Sequence, residues 1–204
     1  MPIVNTREYR AMALPLSVTE VSQEKRFETD YYVEGYAAIF GQPYELFETD
    51  DGSKYYEVID RDALDEADMR DVIMLFDHRG RPFARMSNGT LGLEADSRGL
   101  FTFADLSKSE ASIQLYKEIS AGLITKMSWS FIPRETTYDR ATRTLNILKI
   151  KKIYDVSAVS FPANPETEIS VRSWVDGAIE AERREALAHR RKIIKLKAMM
   201  EGKL

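Results

Sequence analysis

From Tyr31 to about Ser160 the chain alternates short runs of aromatic and β-branched residues with turn formers, which restricts it to a fold built mainly of short strands. YYVEGYAAIF (31–40) halts at Gly41 and Pro43, and KYYEVI (54–59) can pair back across Asp50-Asp51-Gly52-Ser53. VIMLF (72–76) is apolar throughout, as expected of a strand buried on both faces. Asn88-Gly89 predicts a turn, and Asp96-Ser97-Arg98-Gly99 predicts a hairpin between residues 91–95 and 100–104. DRDALDEAD (60–68) begins with carboxylates and reads as a short helix or helical turn. Residues 107–120 form the clearest helix of this region. Ser109 caps it, Ile113, Leu115, Tyr116 and Ile119 give it an apolar face, and Gly122 ends it. ITKMSWSFI (124–132) and a long run from Thr144 to about Ser160 are further strands, separated by a polar loop through Tyr138-Asp139-Arg140.

Composition removes function classes rather than choosing one. The 204 residues include no cysteine, so disulfides, thiolate zinc sites and cysteine nucleophiles are excluded, in keeping with a reducing cytoplasm. His78 and His189 are the only histidines, which rules out a multi-histidine metal site; no cofactor is expected. A net charge of −4 offers no whole-chain attraction for nucleic acid, and no specific nucleic-acid partner is expected. No run approaches the ~20 apolar residues of a membrane span. The first residues, with Arg7, Glu8 and Arg10, do not read as a signal peptide. From Asp176 onward the character changes to a densely charged segment with helical spacing of Ile179, Leu187, Ile193, Ile194 and Leu196. Its basic run, Arg190 to Lys197, suits a solvated helix, a partner-docking helix or a segment lost by self-cleavage.

Three residues draw attention for chemistry. His78 follows the apolar strand, Ser128 lies in a later apolar strand, and Asp155 is a carboxylate in an otherwise β-rich apolar stretch. A serine hydroxyl becomes a useful nucleophile when an imidazole takes its proton, and the imidazole needs a carboxylate to fix its tautomer. A buried carboxylate in turn needs partners. Taken singly, each has an ordinary structural reading: a hydrogen-bonded histidine, a strand serine, a salt-bridged aspartate. Asp77 is expected to cap the loop beside His78, His189 to be solvated, and Arg79, Arg81 and Arg85 to lie in a solvated basic loop.

The local contexts and their order resemble the prohead proteases of tailed bacteriophages, which are related in fold to herpesvirus assemblin. The matching stretches are VIMLFDHRGRPFARM, EISAGLITKMSWSF and YDVSAVSFPANP, with LGLEADSRGLFTFADL resembling the family's central hairpin. Together they run from about Tyr31 to Arg172. The resemblance implies an α+β fold, with a small antiparallel β-barrel-like core and flanking helices (assemblin-like), plus a helical C-terminal extension. It implies a protease domain over residues 1–172 and a charged amphipathic helical tail over 173–204. It further implies Ser128 as nucleophile, His78 as general base and Asp155 as third member, with oxyanion donors near Ala163 and Asn164. Two departures stand out. Ser130 replaces a frequent glycine and, two residues along the same strand face, is the rival nucleophile; the third member is aspartate where glutamate is common. The implied substrates are the major capsid protein and the scaffold protein, cut inside the assembling procapsid in the host cytoplasm. Self-association into a dimer or higher homo-oligomer is implied by the assemblin relatives, which gain activity that way. The alternative is a non-catalytic assembly or scaffolding protein that keeps the fold. A small-molecule hydrolase is disfavoured because the Gly-x-Ser-x-Gly elbow is missing.

Overall fold

The structure is a computed structural model that describes residues 7–18, 25–49, 51–160, 184 and 187–193, without the side chains of 11–15 and 17. The chain divides into two units, residues 2–167 and residues 168–204 with Met1. In the second, residues 184 and 187–193 are helical and exposed. The expected boundary between residues 172 and 173 lies outside the described residues.

Among the described residues the larger unit holds ten strands and one α-helix. In chain order they are β1 (Glu8–Ser17), β2 (Tyr32–Ile39), β3 (Tyr44–Glu48), β4 (Lys54–Ile59), β5 (Ile73–Phe76), β6 (Arg79–Arg85), β7 (Leu91–Ala95), β8 (Gly99–Asp105), α1 (Glu110–Ser120), β9 (Lys126–Asp139) and β10 (Thr144–Val159). The pairing path is β3-β4-β10-β9-β1-β2-β8-β7, with β5 joined to β10 and β6 joined to β5. The expected α+β class with mostly strands is what forms. The expected barrel is not closed, because the path ends at β3 and β7 without pairing between them among the described residues. Nor is the sheet wholly antiparallel: β4 and β5 both run parallel to β10. The reason is connectivity, since both strands reach β10 only through long intervening segments, and such crossovers are what parallel pairs require.

β9 and β10 are the spine. Trp129, Phe131 and Met127 alternate with Ser128 and Ser130, so one face of β9 is apolar and the other carries hydroxyls. Across the ladder Phe131 meets Ile153, Trp129 meets Val156 and Met127 meets Ala158, and all six are at most 1% exposed. Helix α1 starts where Ser109 Oγ accepts from the Ser112 amide and stops before Gly122, which takes a left-handed φ of 72°. Of the two readings of residues 60–68, the helical turn forms and the continuous helix does not. The backbone makes successive i to i+3 turns, and the Ala63 carbonyl accepts from the Ile150 amide of β10 instead of from its own segment. The sheet takes the hydrogen bonds that a helix would have used.

The apolar side of the sheet also holds charge. Arg10 of β1 lies 2% exposed and makes a forked pair with Glu57 of β4, its Nε donating to Oε1 at 2.9 Å and its Nη2 to Oε2 at 2.9 Å. Its Nη1 also reaches Glu8 at 3.2 Å, and the Tyr44 hydroxyl of β3 donates to Glu57. Burial and the Glu57 charge push the Tyr44 hydroxyl well above its usual range, which keeps it a donor. The network ties the first strand to the β3–β4 edge. Arg10→Met would leave two carboxylates buried without their cation, and is expected to cost about 3–5 kcal/mol. A urea unfolding curve would show it as a lower midpoint at unchanged slope; a loss below about 1 kcal/mol would mean that the pair is not structurally required.

Candidate active site

The hydroxyl-bearing face of β9 sits opposite a matching face of β10. Ser157 pairs with Ser128, and Asp155 pairs with Ser130, so four polar side chains form a square on one side of the sheet. Alternation alone would not aim Asp155 there, because Ile153, two residues earlier, pairs with Phe131 on the apolar side. The register shifts between Ile153 and Asp155, and Tyr154 is the extra residue. A bulge re-aims the strand so that the carboxylate turns onto the serine face.

His78 is delivered from the other edge of β10. β5 lies parallel to the end of β10, with Phe76 beside Ala158, and turns back into β6 with Phe76 paired to Arg79. Only Asp77 and His78 remain for the turn, and both have left-handed φ, 48° and 57°. That is the two-residue hairpin geometry usually supplied by Asn-Gly, and each non-glycine residue there costs on the order of 1 kcal/mol. Asp77 offsets the cost. Its amide donates to the Ala158 carbonyl at 3.0 Å, and its carboxylate accepts from the Ser160 amide at 3.0 Å and the Ser160 hydroxyl at 3.2 Å. The capping role expected for Asp77 is thus filled, and the ring of His78 is left to fold over the serine face.

There the three expected residues meet. His78 Nε2 lies 2.5 Å from Ser128 Oγ, and His78 Nδ1 lies 2.6 Å from Asp155 Oδ1. Ser128 is 2% exposed and Asp155 fully buried, while the histidine side chain is 9% exposed. The tautomer with a proton on Nδ1 fits this arrangement, since an ionised carboxylate only accepts. Both carboxylate oxygens are fully engaged. Oδ1 also accepts from the Ser157 hydroxyl at 2.8 Å, while Oδ2 accepts from the Ser130 hydroxyl and from Arg7 Nη2, the latter at 2.5 Å. Burial raises the Asp155 carboxyl, but the hydrogen bond and charge of His78, with the hydroxyls of Ser130 and Ser157, outweigh it and hold the group below its usual range.

Ser130 comes into the site but in another place. Its hydroxyl donates to Asp155 and accepts from Arg7 Nη2 at 2.9 Å, and it has no bond to His78. Ala163 and Asn164 lie outside the described residues. Three residues of the site had not been singled out: Ser157, Arg7 and Tyr9. Ser157 stands two residues past Asp155 on one strand, a spacing that points both to the same face. Tyr9 pairs with Ser130 across β1 and β9 and sets its ring edge-on to His78 at 4.9 Å. The clue to β1 was the alternation in Arg7-Glu8-Tyr9-Arg10, with Glu8 and Arg10 turned to the apolar side. The basic loop expected at Arg79 to Arg85 is instead β6, because β5 offers it a ladder; Arg79, Arg81 and Arg85 are all exposed as expected, and Arg85 also pairs with Asp71. No group of histidine, cysteine, aspartate and glutamate able to hold a metal ion occurs among the described residues.

A hydroxyl, an imidazole and a carboxylate joined in series on a β-sheet define the constellation of a serine hydrolase. A family model described as caudovirus prohead serine protease matches residues 17–178, and the chain belongs to that family, the serine proteases of bacteriophage capsid maturation. No curated protein matches the chain, and no solved structure does.

Because the Asp155 carboxyl lies below its usual value of 3.8 in the folded chain, it contributes stability that is fully present above that value and is lost as pH falls further, through the lowered folded-state value. The stability difference between wild type and Asp155→Asn is therefore expected to shrink between pH 6 and pH 3. Urea unfolding at both pH values checks this; a difference that stays constant would show that the carboxylate's partners do not favour its charged form.

Proposed function

We propose that the chain is an endopeptidase that cuts scaffold and capsid protein through an acyl-enzyme on Ser128. The observation that carries this is the single imidazole with Ser128 Oγ at 2.5 Å from one nitrogen and Asp155 Oδ1 at 2.6 Å from the other. Ser128 Oγ attacks the scissile carbonyl as His78 Nε2 takes its proton. Asp155 holds the ring through Nδ1–H and stabilises the imidazolium that results. The tetrahedral intermediate collapses with proton delivery from His78 to the leaving amine, and water repeats the sequence on the ester. Donors for the oxyanion belong near Ala163 and Asn164, as the assemblin kinship implies. The work is done inside the assembling procapsid, and self-association activates it.

The near-complete burial of Ser128, at 2% exposed, supports that last element. A substrate carbonyl reaches the hydroxyl only after the site opens, which suits an enzyme that is dormant when alone. Ser130 is a supporting residue here, since its hydroxyl donates a hydrogen bond to Asp155 and the imidazole faces Ser128.

Co-expression with the major capsid and scaffold proteins tests the proposal. Wild type is expected to cleave them, and Ser128→Ala to lose cleavage by about 10⁴-fold or more. Ser130→Ala is expected to keep measurable turnover. Cleavage by Ser128→Ala but not by Ser130→Ala would transfer the nucleophile to Ser130. Intact substrates with wild type would return the chain to a non-catalytic assembly role.

A further inference from the structure

The first described residue, Arg7, does something that the hydroxyl–imidazole–carboxylate series does not require. Its Nη2 reaches Asp155 Oδ2 at 2.5 Å and Ser130 Oγ at 2.9 Å, and its Nε reaches the same hydroxyl at 3.2 Å. The guanidinium lies over two rings, 4.6 Å from the centre of Tyr154 and 5.2 Å from that of Tyr9. Tyr154 is the extra residue of the β10 bulge, and Tyr9 is the ring that meets His78 edge-on. One side chain, 37% exposed, therefore touches the residue that shapes the bulge, the residue that packs on the base and the carboxylate itself. Arg7 and almost all of β1 lie outside the residues 17–178 that the family model matches.

We propose that Arg7 is a positioning residue, which fixes the Asp155 carboxylate through Oδ2 so that Oδ1 is held toward His78. Its consequence in catalysis rests on the protease function proposed for the site, but its physical content stands without it. A carboxylate bonded through Oδ1 alone can rock about its Cβ–Cγ bond; with Oδ2 held by Ser130 and Arg7 it presents Oδ1 in one direction. The other groups facing the ring are the Tyr9 phenol from β1 and the hydroxyls of Ser128 and Ser157 from β9 and β10; on its own hairpin it is flanked by Asp77, which is turned to Ser160, and by the exposed Arg79. Among the described residues, Arg7 is the one cation with a bond into this group.

The two histidines of the chain make the test direct, because removing His189 leaves a single ring signal to follow by NMR. In a His189→Gln background, the downfield resonance of the His78 Nδ1 proton, bonded to Asp155, is expected to broaden or move upfield in Arg7→Met and to persist in Arg7→Lys. The proposal is overturned if Arg7→Met stays folded with the resonance of its parent, or if Arg7→Lys loses it equally. Should Arg7→Met fail to fold, Arg7→Gln, which lacks the guanidinium fork, is read by the same two criteria. On capsid protein, Arg7→Met is expected to lose about tenfold in kcat with KM changed less than about twofold, and Arg7→Lys to recover part of the loss. A resonance that behaves as expected in a chain that cuts nothing would refute the protease function and keep the Arg7 assignment; active enzyme with an unmoved resonance would do the reverse.

Discussion

The carboxylate of Asp155 is the constraint around which the site is organised. It is fully buried, and an ion in that position costs several kcal/mol unless its lone pairs are met. They are met from four places: the His78 turn, Ser157 on its own strand, Ser130 on β9 and Arg7 ahead of β1. Each donor belongs to a different stretch of chain, so the charge is satisfied only when β5, β9, β10 and β1 hold their present register. A slip of one residue between β9 and β10 would send the carboxylate against Trp129. The desolvation cost thereby disfavours misregistered alternatives, and a polar group that adds little net stability helps specify which sheet forms.

The same two strands separate stability from chemistry. The side of β9 carrying Met127, Trp129 and Phe131 is packed, and the side carrying Ser128 and Ser130 is hydrogen-bonded. Residues on a strand project alternately, so a rigid apolar layer supports the reactive one directly, with no intervening loop to blur the geometry. The irregular features fall where the reactive side needs them. The bulge at Tyr154 turns Asp155 to its partners, and the two left-handed residues Asp77 and His78 bring the ring back over the sheet. Both are local costs, and both are stabilised by contacts from neighbouring strands.

Much of this was legible in the sequence, for reasons that differ by element. Long β10 showed itself through sustained β-branched and apolar residues, and α1 through its cap, its periodic face and Gly122. The turn at His78 was legible as a strand end but not as a two-residue hairpin. Arg79 to Arg85 contains a glycine, a proline and three arginines, and it becomes a strand only through the ladder offered by β5. Residues 60–68 carried a helix-like start, yet the sheet captured their backbone. β1 is not legible as a strand because Arg7, Glu8 and Arg10 leave it without an apolar run, whereas Glu8 and Arg10 are buried and paired, Arg10 also with Glu57. The expectation of a barrel came from a resemblance rather than from any residue pattern, and β3 and β7 stay unpaired with each other among the described residues.

Control of such an enzyme is bounded by the same network. The chain's own residues complete the bonds from Ser128 to His78 and from His78 to Asp155, and the carboxylate's remaining partners are in place. A device that switched activity by pulling these residues apart would have to break several charge-assisted bonds and expose a buried ion, at a cost comparable with the stability of a whole domain. Ser128, by contrast, is shut away at 2% exposed, and uncovering a hydroxyl asks far less. On energetic grounds the bonded series is therefore the part of the molecule that resists change, and exposure of the Ser128 hydroxyl is the part that changes at least cost.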